Sequence, residues 1–359
     1  VLEQDVTLEM PSAPERIVRL EDAATGLSGA IVIDSTRLGP AAGGCRLWHY
    51  ADGAAVLADA QRLARGMSYK NALAGLPLGG GKAVISRPRG SFDRAALFAA
   101  FGRAVRALDG AYVTAEDVGT GVEDMTHVAT MTRHVAGLTQ VPGRAGGDPS
   151  PWTARGVFSA MRVAAERGLG RPLEDMVVAV QGLGHVGFAL CALLDAAGAQ
   201  LIVADPNAEA AARAAEMFGA AVVDPAAILD ADADIFAPCA LGGAIGDAAL
   251  DRLKARVVCG AANNQLATAA HGDRLMERGI LYAPDYVANA GGIINVAAEY
   301  LGWPLAQVAE RVDAIGARLG EVFDRAAEEG IAPGRAADRL AAALIAAAPA
   351  YSLAGAPPA

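Results

Sequence analysis

The chain has 359 residues, 53% of them hydrophobic and few of them aromatic. That is more than one core usually holds, so two domains are expected. A net charge of −10 excludes the basic surface that nucleic-acid binding needs. The four cysteines, Cys45, Cys191, Cys239 and Cys259, stand far apart with no C-x-x-C pair. They suggest neither a metal site nor a disulfide framework, and fit a reducing cytoplasm. Val1 to Arg16 has acidic residues and no apolar core, unlike a signal peptide. Leu340 to Ala359 is uncharged, but its alanines and its prolines Pro349, Pro357 and Pro358 read as a helix end and a tail. No membrane association is expected.

Gly29 to Asp34 reads as a strand leading into the glycine-containing stretch Leu38 to Gly44. From Val56 to Asn71, Leu57, Leu63, Ala64 and Met67 recur at helical spacing. Leu78-Gly79-Gly80-Gly81-Lys82 then reads as a flexible glycine loop, followed by a short strand over Ala83-Val84-Ile85. A helix is expected from Phe92 to Leu108, and a strand over Ala111 to Thr114 that ends at Glu116-Asp117.

The glycine loop is not an ATP P-loop, because Leu76 stands where glycine is required and Ala83 where Ser or Thr would hold magnesium. Charge offers a better reading. Lys70, at a helix end, can pin a carboxylate, and Lys82 is expected beside it. A lysine near another cation and partly desolvated loses its proton more easily and can act as a base. Asp117 can bind an ammonium group and carry protons. The alternative is that both lysines are solvated surface charges.

A Gly/Pro cluster at residues 143–151 is the expected hinge. Beyond it come a helix over Thr153 to Arg167, a strand over Val177 to Val180, and Gly182-Leu183-Gly184-His185-Val186-Gly187 opening a helix to Ala197. The next strand, Leu201 to Ala204, ends in Asp205, 18 residues past Gly187. Strand, glycine fingerprint, helix and strand-end acid together read as a dinucleotide site. Gly182 permits the tight turn, Gly184 the approach of the pyrophosphate, and Gly187 close helix packing. Asp205 favours NAD over NADP, since it accepts ribose hydroxyls and repels a 2′-phosphate. His185 is expected to face solvent, and Cys191 to be buried. Further apolar runs at Asp234 to Ala237 and Val257 to Cys259 complete a parallel-sheet pattern. Pro238-Cys239-Ala240 and Asn263-Asn264 follow strands at the ligand-binding edge. From Leu305 the tail is helical and a candidate to cross back to the first domain.

These segments resemble the glutamate/leucine/phenylalanine/valine dehydrogenases. The resemblance runs through Gly43-Gly44-x-Arg46, Lys70-Asn71-Ala72-Leu73, Pro77 to Lys82, Ala115 to Gly119 and Gly182 to Gly187. It continues through Pro238 to Gly243, Ala262-Asn263-Asn264 and Asn289-Ala290-Gly291-Gly292. It implies an α/β protein with a mixed substrate-binding and oligomerisation domain (1–148), a Rossmann-type NAD domain (149–304), C-terminal helices (305–359), and a cleft between the domains. It also implies a homo-oligomer that deaminates an L-amino acid oxidatively. Lys70 would hold the substrate carboxylate, Lys82 activate water, and Asp117 move protons at the amine. Gly43, Gly44 and Asn263 would line the substrate. Leu183, His185, Val186, Pro206, Cys239, Ala240, Asn263 and Asn289 would join the three glycines and Asp205 around NAD.

Glutamate-specific relatives place a lysine just before the Gly-Gly pair and a serine four residues after Asn-Ala-Gly-Gly. Here those positions are Ala42 and Val296, which leave a distal carboxylate without a partner. Leucine-type relatives carry a larger aliphatic residue at the Ala42 position. Its loss here suggests room for an aromatic ring, walled by Met67, Ala115, Thr153, Ile293 and Val296. Residues 38–48 are most similar to the phenylalanine-specific members. L-Phenylalanine is therefore the expected substrate, with a branched-chain amino acid as the alternative. A non-catalytic NAD sensor is the rival of another class, and a water-activating lysine argues against it.

Overall fold

The computed structural model describes residues 13–240 and 242–349. The readings placed on residues 1–12, Leu241 and 350–359 lie outside the described residues. Two compact units form: residues 13–68, 78–135 and 349 in the first, residues 69–77 and 136–348 in the second.

The first unit contains β1 (Arg16–Asp22), β2 (Leu27–Ser35), β3 (Ala41–Ala42), β4 (Cys45–Trp48) and α1 (Gly53–Leu73, whose last turn passes into the second unit). It continues with β5 (Gly79–Ser86), α2 (Arg94–Arg106), β6 (Tyr112–Val113) and α3 (Val122–Ala129). The sheet order is β1-β2-β5-β3-β6, with β4 also paired to β5. The glycine segment is thus a strand at the centre of the sheet, buried from Gly79 to Ile85, and not a flexible loop.

Its three glycines serve close approach. A Cβ on Gly79 would lie 2.0 Å from the Ser35 carbonyl oxygen, and one on Gly80 2.1 Å from the Ser68 nitrogen in α1. One on Gly81 would meet the Tyr112 ring at 2.9 Å. Sheet and helix can meet this tightly only where β5 has no side chains.

The second unit opens with α4 (Ser150–Leu169) and carries an all-parallel six-stranded sheet in the order β12-β11-β10-β7-β8-β9. Its strands are β7 (Val177–Gln181), β8 (Gln200–Ala204), β9 (Ala221–Val222), β10 (Ile235–Pro238), β11 (Val257–Val258) and β12 (Leu281–Tyr282). Between them run α5 (His185–Ala196), α6 (Ala208–Phe218), α7 (Asp247–Arg252) and α8 (Ala270–Glu277). The helices α9 (Asp285–Ala288), α10 (Gly291–Leu301), α11 (Leu305–Asp313), α12 (Ile315–Glu329) and α13 (Pro333–Ala347) close the chain.

Two expectations about organisation change. The expected hinge at residues 143–151 belongs to the second unit, and the chain passes between units after Val135. Glu299 accepts hydrogen bonds from the Gly137 and Leu138 nitrogens, and Asn295 exchanges two with the Gly146 backbone. These bonds fasten the segment to α10. The C-terminal helices pack on α4, α9 and β12 of the second unit. Val308, Val312, Ile315, Leu319 and Val322 are all buried, and Arg155 pairs with Asp313 at 2.6 Å. Among the described residues no helix is long and apolar enough to cross a membrane.

Gly80→Ala should lower stability by about 1–3 kcal/mol, because its methyl group meets backbone. Gly66→Ala, on the open face of α1 with nothing within 4 Å, should raise it by about 1 kcal/mol. Urea unfolding of the two variants checks the contrast.

Candidate active site

In the first unit, β3 and β4 are one strand interrupted at Gly43-Gly44. It threads between β5 and the 111–118 segment, donating from Gly43 N to Val113 O and from Cys45 N to Ala115 O. Both glycines are required by contact. A Cβ on Gly43 would lie 1.9 Å from the Gly81 carbonyl oxygen and 3.0 Å from Met67 Cγ. One on Gly44 would lie 2.4 Å from Glu116 O and 2.9 Å from Asp117 Cβ. The Tyr112 hydroxyl donates to Gly43 O and holds the break in place.

This threading brings Lys82 and Asp117 together. Lys82 Nζ lies 2.9 Å from Asp117 Oδ1, with only 5% of the lysine side chain exposed. Arg46 Nε takes the other oxygen at 2.9 Å. Burial opposes ionisation of Asp117, but the charges and hydrogen bonds of Lys82 and Arg46 outweigh it and hold the carboxyl below its ordinary value. The Thr120 hydroxyl accepts from Asp117 N and fixes the turn that follows. Within this unit the ion-pair partner of Lys82 is the carboxylate of Asp117. Ala42 and Ala115 are buried and Met67 half-buried in this unit.

In the second unit, Lys70 Nζ donates to Asn289 Oδ1 at 2.7 Å. The Asn289 amide nitrogen donates in turn to Ala261 O and to Asn263 Oδ1. Asn289 is 3% exposed, so it acts here as a buried link that orients Lys70 and Asn263. Thr153 on α4 and Ile293 and Val296 on α10 are half-buried, the last two one helical turn apart. Thr153 Oγ1 donates to Pro149 O, and Gly292 leaves room beside it.

The fingerprint sits between β7 and α5, as expected. Gly182 has φ +96°, which only glycine adopts readily. Gly184 caps α5, and a Cβ on Gly187 would strike the Gly182 carbonyl oxygen at 2.0 Å. Gly184 and His185 are exposed, and Leu183 and Cys191 are buried. Asp205 accepts from Leu183 N at 2.6 Å and from Asn207 N at 2.7 Å, so it braces the loop. Pro206 and Ala240 are exposed, and Cys239 is half-buried with Cys239 N bonded to Gln181 O. A glycine loop open at a helix N-terminus with a strand-end carboxylate fits NAD. Among the described residues no cluster could hold a metal ion.

Arg46 falls in the Gly43-Gly44-x-Arg46 stretch, whose local pattern carries no sign of its role. Its partner Asp117 lies 71 residues away, and no local pattern links them.

Comparison with known proteins settles the family. Residues 14–134 match the model described as the Glu/Leu/Phe/Val dehydrogenase dimerisation domain, and residues 206–350 that of glutamate/leucine/phenylalanine/valine dehydrogenase. The chain belongs to this family. It is 50% identical over 328 residues to leucine dehydrogenase of Thermoactinomyces intermedius, covering 91% of this chain and 89% of that one. It is 46% identical over 335 residues to valine dehydrogenase of Streptomyces albus, covering 91% of each. The crystal structure of L-tryptophan dehydrogenase from Nostoc punctiforme superposes with a TM-score of 0.85 at 39% identity, covering 93% and 96% of the two chains. The chain is therefore an amino-acid dehydrogenase with an N-terminal substrate-binding domain and a Rossmann-type nucleotide domain. These relatives favour the branched-chain alternative over phenylalanine.

Because the carboxyl of Asp117 is depressed in the folded state, its pairing adds stability above the unfolded carboxylate value of about 3.9. That contribution is lost as pH falls through the depressed value. Asp117→Asn should be less stable at pH 7 and should lose less on acidification, read as urea midpoints from pH 7 to pH 3. An unchanged acid slope would count against the pair.

Proposed function

We propose that this chain catalyses the NAD-dependent oxidative deamination of a branched-chain L-amino acid, leucine or valine, to its 2-oxo acid and ammonia. The observation that carries the reading is the buried Lys82–Asp117 pair, set against Gly43 and Gly44. Lys70 holds the substrate carboxylate by charge, its ammonium steadied by the neutral amide of Asn289. NAD, when bound on Gly182 to Gly187 and Asp205, supplies the acceptor for the hydride leaving Cα. The substrate amine, neutral once its ammonium has given a proton to solvent, becomes a protonated imine as the hydride leaves, and water adds to its carbon. An ammonium is not a base, so Lys82 first gives a proton to Asp117, 2.9 Å away, and then takes one from the attacking water. Asp117 returns its proton to the nitrogen. As the C–N bond breaks, Lys82 passes its proton back to Asp117 and takes the one on the adduct's hydroxyl, Asp117 releases its proton to solvent, and ammonia and the 2-oxo acid leave.

Ala42 and Val296 support an apolar side chain over glutamate, because neither can pair a buried carboxylate. An aromatic substrate is the second reading, favoured by the small Ala42 and by likeness to a tryptophan dehydrogenase. We further propose a homo-oligomer in the cytoplasm; the four free thiols fit that compartment.

Initial rates of NADH formation test the substrate. L-Leucine and L-valine should exceed L-glutamate by roughly 10³-fold, with NAD preferred over NADP. Phenylalanine or tryptophan in the lead would replace the branched-chain reading, and no turnover of any would refute the activity. Lys82→Ala should cost on the order of 10²–10⁴-fold in kcat while NADH still binds. Undiminished turnover would remove Lys82 from its role.

A further inference from the structure

The charge pair at Asp117 does not end at Arg46. Arg46 NH1 lies 3.1 Å from Asp59 Oδ2 on α1, so this guanidinium is shared between two carboxylates. Asp59 is itself held from both sides. The Tyr50 hydroxyl donates to its Oδ2 at 2.6 Å, and Arg62 NH2 donates to its Oδ1 at 2.7 Å. Lys82, Asp117, Arg46, Asp59 and Arg62 therefore form a row of alternating charge. Arg46, Asp59 and Asp117 are each mostly buried, whereas Arg62 is 58% exposed.

Such a row has a consequence for proton transfer. A carboxylate gripped by two undivided cations is a poor proton acceptor. A carboxylate whose second cation is half-neutralised elsewhere accepts more readily and stays in place. We propose that Asp59, locked by Tyr50 and Arg62, is a positioning residue that divides the charge of Arg46 and so sets how Asp117 points and how readily it takes a proton. This rests on the reading of Asp117 as the proton carrier of the deamination.

Asp59 is the anion that shares Arg46 with Asp117. Lys82 faces Asp117 from β5, Arg46 and the buried Cys45 thiol from β4, and Tyr112 from β6. Burial pushes both Cys45 and Tyr112 well up, so each stays neutral. Arg94 and Asp124, which lie within reach of Cys45, pair with each other at 2.6 Å. Asp59 stays charged: burial disfavours it, but the Tyr50 and Arg62 hydrogen bonds and the charge of Arg46 bring it below its ordinary value.

The test uses the full chain with carboxyl-13C aspartate, Asp117 being assigned by the signal lost in Asp117→Asn. Arg46→Gln removes a cation and should move the Asp117 titration to higher pH. Asp59→Asn frees Arg46 to grip Asp117 and should move it to lower pH. The double variant should follow Arg46→Gln alone, because Asp59 acts only through Arg46. In turnover, Asp59→Asn should lose on the order of tenfold in kcat with KM for L-leucine within about twofold, and Asp59→Glu should recover part of the loss. Shifts in the same direction, no shift, or a loss confined to KM would overturn the proposal. Should Arg46→Gln fail to fold, Tyr50→Phe, which loosens Asp59, should shift Asp117 in the same direction as Asp59→Asn. A wild-type chain without dehydrogenase activity would sink the proposed function, while the titration shifts would still decide this one.

Discussion

A lysine buried in the middle of a sheet is tolerable only if a carboxylate meets it, and the first unit is arranged around that meeting. Lys82 sits on β5, with its charge removed from water, and Asp117 reaches it from the turn after β6. Truncating either member of such a pair would strand the other charge. Holding so costly a pair is unnecessary for folding alone, since apolar residues of the same size would pack there at least as well. Its presence points to chemistry.

The pair can form only because the backbone makes room. Gly43, Gly44, Gly80 and Gly81 stand where strands, helix and ring approach closer than any side chain allows. The same device recurs in the second unit, where Gly187 lets α5 close against Gly182 and leaves the helix N-terminus open for phosphate. Gly43, Gly44, Gly80, Gly81 and Gly187 act by absence of volume, and Gly182, at φ +96°, also supplies an unusual backbone shape.

That distinction marks what the sequence could show. The dinucleotide turn was legible because every requirement is local: a strand, three spaced glycines, a helix, and an acid at the next strand end. The Lys82–Asp117 pair was legible as residue types, but its partnership was not, because the two meet through sheet pairing between distant segments. Reading Gly79 to Gly81 as a flexible loop failed for the same reason. Three glycines in a row weaken a strand by local propensity, and only the close neighbours Ser35, Ser68 and Tyr112 show why they belong in one. Strand β1, whose charged and apolar residues alternate imperfectly, escaped notice altogether; it is defined by its antiparallel partner β2. The preference read from Ala42 stands beside the branched-chain reading that the leucine and valine dehydrogenase relatives favour, and Ala42 alone does not decide between them.

In the proposed reaction, water activated at Lys82 completes a deamination and does not merely follow an oxidation. NADH and ammonia should therefore be measured together as the purified chain turns over L-leucine. One ammonia released for each NADH formed, with the 2-oxo acid in equal amount, is the predicted result. NADH accumulating without ammonia would contradict it.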